Sequence, residues 1–146
     1  MKKFIAIIVA IVSVVFSANA QLTVKAKADA MQKVATVRVN YSHLYVDGLG
    51  YSIMFMSTTN QFDKGGYFHL GETKEDAIET AKDLIELCNQ ESGTGFDVED
   101  AAGVEAFIHV GSMLGKPYLD IKTKGNAGTF NITPKELENV IKALSN

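Results

Sequence analysis

Apolar positions change their spacing along this chain, and each change marks a different kind of element. It opens on an apolar run from Phe4 to Phe16 that only Ser13 interrupts. From Leu22 the pattern alternates, with Leu22, Val24 and Ala26 set against Thr23, Lys25 and Lys27. That period of two predicts a half-buried strand over residues 22–28. Residues 29–33 read as a polar connection or a short helical turn. Alternation resumes over 35–41, with Val37 and Val39 on one side, and continues after a bend over 43–46. Asp47-Gly48-Leu49-Gly50 is a turn, because glycine reaches the positive φ that tight turns need. Residues 51–56 are apolar on both faces, as suits a central, doubly covered strand. The polar stretch 57–66 predicts a hairpin loop, and a strand returns over 67–70.

The period then lengthens. Ala77, Ile78, Ala81, Leu84, Ile85 and Cys88 recur at three- and four-residue spacing, one apolar stripe of a helix over 72–89. Thr73 is its expected N-cap, with Asp76 reaching back as a capping-box residue would. Glu75, Asp76 and Glu79 suit the positive end of the helix dipole. Gly93 and Gly95 end it. Strands follow over 96–98, 104–110 and 118–122, the last two as a hairpin around 111–115, and over 129–132. A closing helix spans 133–144, with Thr133 as N-cap, Pro134 at the tolerated first position and Glu136 completing a capping box. Leu137, Val140, Ile141 and Leu144 form its stripe.

This order predicts an α+β fold, a mostly antiparallel sheet with two amphipathic helices packed on one face. The hairpin-length connections leave no room for parallel crossovers. The two helix entries resemble each other: Gly66-Tyr-Phe-His-Leu precedes Thr73-Lys-Glu-Asp, and Gly128-Thr-Phe-Asn-Ile precedes Thr133-Pro-Lys-Glu. A degenerate ββα repeat produces that likeness. So does the capping chemistry of any strand-to-helix junction, and the handful of matching positions favours this second reading.

Composition alters the picture at the N-terminus. Lys2 and Lys3 precede the first apolar run, and Ser17-Ala18-Asn19-Ala20 closes it, the order of a cleaved secretory signal. A membrane-spanning helix needs about 20 apolar residues, more than this run supplies. Residues 1–20 therefore read as a signal peptide cut after Ala20, and residues 21–146 as a single α+β domain. The product is expected to be secreted or periplasmic, without stable membrane insertion. The short, lysine-first leader and its Ala20-Gln21 junction look bacterial, so the sequons at Asn40 and Asn131 predict no glycan.

Taking 20 residues from 146 leaves 126, enough to bury a core without staples. Losing Lys2 and Lys3 lowers Lys+Arg from 14 to 12 against 17 Asp+Glu, a formal charge of −5. An acidic domain lacks the electrostatic footprint of a nucleic-acid binder. Lys25, Lys27, Lys33 and Arg38 are dispersed among apolar positions and read as a solvated strand face. Cys88 is the only cysteine, so no internal disulfide forms; its place on the helix stripe predicts a buried, inert thiol.

Candidate chemistry is sparse. His43, His69 and His109 fall in or beside predicted strands without metal-ligand spacing, so no metal and no cofactor are expected. Asp97, Glu99 and Asp100 begin like a calcium loop, yet Ala102 and Ile108 stand where glycine and glutamate are required. That patch reads as a solvated loop or a charged helix entry. If 104–110 pairs with 118–122, His109, Tyr118 and Asp120 share a face, the one His–acid–phenol grouping available. His69 shares a face with Tyr67. The five tyrosines, Tyr41, Tyr45, Tyr51, Tyr67 and Tyr118, all lie in strand blocks, and tyrosine suits interfaces through its apolar body and polar tip.

No catalytic residue is assigned. Tyr45, Tyr67, His69, His109, Tyr118 and Asp120 are the candidate ligand- or partner-binding residues. The reading is a small exported, non-catalytic binding protein whose partner, protein or small molecule, stays unspecified. Two alternatives stand beside it. One is a small-ligand carrier or enzyme with a pocket between sheet and helices. The other is a subunit of an envelope or extracellular assembly pairing through an edge strand such as 22–28.

Overall fold

A computed structural model of the chain describes residues 31–56, 65–125 and 128–146. The leader at 1–20 and the strand expected at 22–28 lie outside the described residues. Four antiparallel strands come first: β1 (Gln32–Arg38), β2 (Ser42–Asp47), β3 (Gly50–Phe55) and β4 (Gly66–Gly71). Helix α1 (Lys74–Cys88) follows. The pattern then repeats with β5 (Gly95–Glu99), β6 (Glu105–Met113), β7 (Lys116–Thr123), β8 (Phe130–Ile132) and helix α2 (Pro134–Ser145). The α+β architecture stands, with its strands divided between two four-stranded sheets ordered β1-β2-β3-β4 and β5-β6-β7-β8. In element order the repeating unit is ββββα.

Both helices begin as their sequences require. The Thr73 hydroxyl accepts a hydrogen bond from the Asp76 N–H at 3.1 Å. In α2 the box is reciprocal: the Glu136 N–H donates to Thr133 Oγ1 at 3.4 Å, and the Thr133 N–H donates to Glu136 Oε2 at 2.9 Å. The helices pack on each other, α1 also against β4, β6 and β7, and α2 against β1. One hydrophobic core draws on both halves, from Leu44, Ile53, Phe55 and Phe68 to Ile108, Leu119, Ile121 and Phe130, with Ala77, Ala81, Leu84, Leu137 and Val140 from the helices. Phe55 and Phe130 stack across the halves with ring centroids 3.9 Å apart. Cys88 is buried in this core, and burial pushes its thiol up to about 11, so it stays protonated and unreactive near neutral pH.

Several positions differ from the sequence reading for identifiable reasons. Gln32 and Lys33 belong to β1, because pairing with Val46 and Tyr45 extends the strand toward the N-terminus. Val39 stands 71% exposed in the turn after β1 rather than on the buried side. The β6–β7 hairpin turns on two residues, Leu114 and Gly115, because Met113 pairs with Lys116. Gly111 lies inside the strand, where the ring of Tyr118 occupies the space a side chain would need: a Cβ there would sit 2.3 Å from Tyr118 Cζ.

Arg38 and Asp100 are corrections of another kind. Arg38 is not part of a solvated face. Its Nε and Nη2 donate to the two carboxylate oxygens of Glu136 at 2.6 and 2.8 Å, and its Nη1 donates to Asn131 Oδ1 at 2.6 Å. The end of β1 is thereby fastened to β8 and to the first turn of α2. Asp100 is buried and holds the link between β5 and β6 against β4.

The Arg38–Glu136 pair carries a pH dependence. Burial alone raises the Glu136 carboxyl; the hydrogen bonds from Arg38 and Thr133 outweigh it and hold the group below its ordinary value. A carboxyl depressed in the folded state stabilises above its unfolded value, about 4.3, and that stability fades as pH falls through the folded value. Glu136→Gln should therefore lose about 2 kcal/mol at neutral pH. Its urea midpoint should converge on that of the wild type only once the pH falls below the depressed folded value of Glu136. Urea titrations at several pH values check this, and a gap that stays constant into acid refutes it.

Candidate functional site

Strand alternation sorts the side chains of each sheet. In β6, Ala106, Ile108 and Val110 are buried toward the helices, so Glu105, Phe107, His109 and Gly111 face away from the core. In β7, Leu119 and Ile121 point inward, and Tyr118, Asp120 and Lys122 take the outer face. Register then assembles rows across the second sheet. Gly95, His109, Asp120 and Asn131 form one row, Asp97, Phe107 and Lys122 the next, and Gly111 with Tyr118 another. The expected grouping of His109, Tyr118 and Asp120 on one face is present.

Its chemistry is limited by distance. His109 Nδ1 lies 4.0 Å from Asp120 Oδ2, an ion-pair separation longer than a hydrogen bond. Burial pushes the Asp120 carboxyl up, and the neighbouring His109 opposes that shift. All three side chains stay partly open to solvent.

Two aromatic rings shape the face. The Tyr118 ring lies over Gly111, and the Phe107 ring lies over Gly95, where a Cβ would come within 2.5 Å of Phe107 Cζ. Laying a ring across a cross-strand glycine covers backbone that would otherwise be bare. His109 sits between the two. Phe107 remains 46% exposed, a large apolar surface that folding has left in water. Beside it opens a cleft of about 770 Å³, bordered by Asp97, Glu99 and Glu105 on one side and by Lys122 and Lys124 on the other. Lys124 hydrogen-bonds Glu105, which raises its ammonium pKa.

Tyr45, Tyr67 and His69 are on the other sheet. There Lys33, Tyr45, Ser52 and His69 form a row, and Thr36, His43, Met54 and Tyr67 the next. His69 Nδ1 hydrogen-bonds the Ser52 hydroxyl. His43 packs edge-on against Tyr45 at 6.2 Å, and its pKa is lowered, chiefly by burial and further by Lys33. The six candidate residues are thus two triplets on two sheets. Of the remaining tyrosines, Tyr51 packs against the core and Tyr41 sits in the β1–β2 turn. Among the described residues, no group of three or more His, Cys, Asp or Glu stands close enough to hold a metal ion. No described helix is long and apolar enough to cross a membrane.

Phe107 and the charges around it were missed as site residues. The signal was present, since Phe107 shares the alternation phase of His109, but it required knowing that this phase faces outward. The chain matches no family model, no curated protein and no solved structure.

Proposed function

We propose that this is a small exported, non-catalytic binding protein whose outer face on the second sheet receives a protein or small-molecule partner. The observation that carries this reading is the exposed Phe107 ring, lying over Gly95 at the edge of an open cleft. An exposed aromatic anchor flanked by charge of both signs has the composition of an interaction patch. Among the described residues, Asp97, Phe107 and Lys122 of this face stay exposed, and α1 packs on the buried side of β6 and β7. Export rests on the leader, with cleavage after Ala20.

The test uses protein secreted from the full-length gene, whose mature form should begin at Gln21 by intact mass. Immobilised wild type is expected to retain a partner from the fluid outside its source cells. Phe107→Ala should weaken that retention at least tenfold, about 1.4 kcal/mol, and Tyr67→Ala should leave it unchanged. Equal retention by wild type and Phe107→Ala would remove the outer face from the argument. Recovery of Met1 on membrane-bound protein would remove export.

A further inference from the structure

The tip of the β6–β7 hairpin is built against local preference. Leu114 has φ 53° and Gly115 φ 77°, the two positive values of a two-residue type I′ turn. Asn or Gly tolerates the first of these positions, whereas an L-residue with a branched apolar side chain is strained there. Leu114 is also 97% exposed, and its neighbour Met113 is 69% exposed. Neither packing nor backbone geometry of this molecule explains a leucine at this point. Strain and exposure together point to contact outside the molecule.

A receptor for such a side chain exists at the other end of the sheet. A cleft of about 270 Å³ opens between α1 and the strands, with Phe68, Leu84, Leu87, Val98 and Ile108 as its apolar lining. It is smaller than the usual range for drug-sized ligands and suits a side chain or two. Asp83 and Glu99 stand at its rim, exposed, and neither forms an ion pair among the described residues. Next to the hairpin tip, Lys116 is exposed and likewise unpaired among them. An apolar knob with an adjacent cation therefore matches an apolar cleft with adjacent carboxylates.

Their placement prevents the two from meeting within one molecule. Glu99 pairs with Glu105 at the start of β6, and the tip follows Met113 at its end. The strand between them is nine residues long, roughly 30 Å at 3.3 Å per residue. A knob and a hole at opposite ends make a heterologous contact, which extends from copy to copy unless it closes into a ring. We propose that the protein self-associates head to tail, with Leu114 of one copy seated in the α1–β5 cleft of the next and Lys116 beside Asp83 and Glu99.

Sedimentation velocity on the mature protein tests this. Wild type should grow in mass with concentration. Leu114→Asn, which suits the turn better and so keeps the fold, should weaken association at least tenfold while leaving the melting temperature unchanged or higher. Asp83→Lys blocks the other end at an exposed position. Each variant alone should be monomeric, and an equimolar mixture should give a dimer that grows no further, because Asp83→Lys supplies the intact tip and Leu114→Asn the intact cleft. Adding Lys116→Glu to Asp83→Lys should restore association. Three results would each overturn the proposal: a wild type monomeric at every concentration, a Leu114→Asn protein that associates like wild type, or a mixture that stays monomeric. A tip that binds phospholipid vesicles while the protein remains monomeric would overturn it as well.

Discussion

Replacing Asp100 with alanine should lower the stability of the folded protein by about 3 kcal/mol. Asp100 is 8% exposed, and its carboxylate accepts three backbone hydrogen bonds. The His69 N–H donates to Oδ2 at 3.0 Å, and the Ala102 and Val104 N–H groups donate to Oδ1 at 3.0 and 2.9 Å. The first bond closes the free edge of β4, and the other two shape the turn into β6. An additional bond runs from the Ala101 N–H to the His69 carbonyl at 3.2 Å, so the turn and the edge strand are joined twice. Alanine leaves all three donors without their acceptor. Two of them, in the exposed turn, regain water, which keeps the cost below three full desolvation penalties. Asp100→Asn should lose about half as much: its carbonyl oxygen still serves the turn, while its amide meets the His69 N–H donor to donor. Asp97→Ala, three residues earlier and exposed, should stay within about 0.5 kcal/mol of wild type. Urea unfolding with a common m-value measures all three, and equal midpoints for Asp100→Ala and Asp97→Ala would refute the assigned role.

Asp100 also shows where the sequence stops being legible. Local chemistry was readable: Thr73 and Thr133 cap their helices through hydrogen bonds to residues three positions away. Alternation likewise sorted the side chains of most strands into two sets without reference to any partner, although it did not say which set faces outward. The likeness between the two helix entries has a structural counterpart too, since Phe68 and Phe130 are both 2% exposed and belong to the same core. What the sequence could not carry was the distant partner. Asp100 meets a backbone N–H 31 residues away, and Arg38 meets a carboxylate 98 residues away. Nothing local distinguishes these charges from solvated ones. The division into two sheets was hidden for the same reason, as it depends on which strands fail to pair across α1. At the site, His109 and Asp120 emerged because a hairpin makes them neighbours, whereas the ring of Phe107 over Gly95 depends on a second hairpin whose register was unread.

A Phe130→Ala substitution should cost about 4 kcal/mol, and the shape of the unfolding curve should matter as much as its midpoint. Phe130 belongs to the second sheet and stacks on Phe55 of the first at 3.9 Å and 20° between planes. Both rings are essentially without solvent contact, at 2% and 1% exposure. Removing one empties a ring-sized space that β3 and β8 cannot close, because each is held by its own ladder. The loss is a large share of the 5–15 kcal/mol that stabilises a typical domain. The repeated ββββα order invites the idea that each half folds alone. The core argues otherwise, since α1 packs on β6 and β7 of the second sheet as well as on β4 of the first, and α2 reaches β1. A single transition is therefore expected in wild type and mutant alike, with fluorescence of the tyrosines and far-ultraviolet circular dichroism falling together. In a double-mutant cycle, Phe55→Ala and Phe130→Ala should couple by about 1 kcal/mol, the surplus of an aromatic pair over its buried area. Two separate transitions, with Phe130→Ala moving only one of them, would mean that the halves are independent and that the stack between them contributes little.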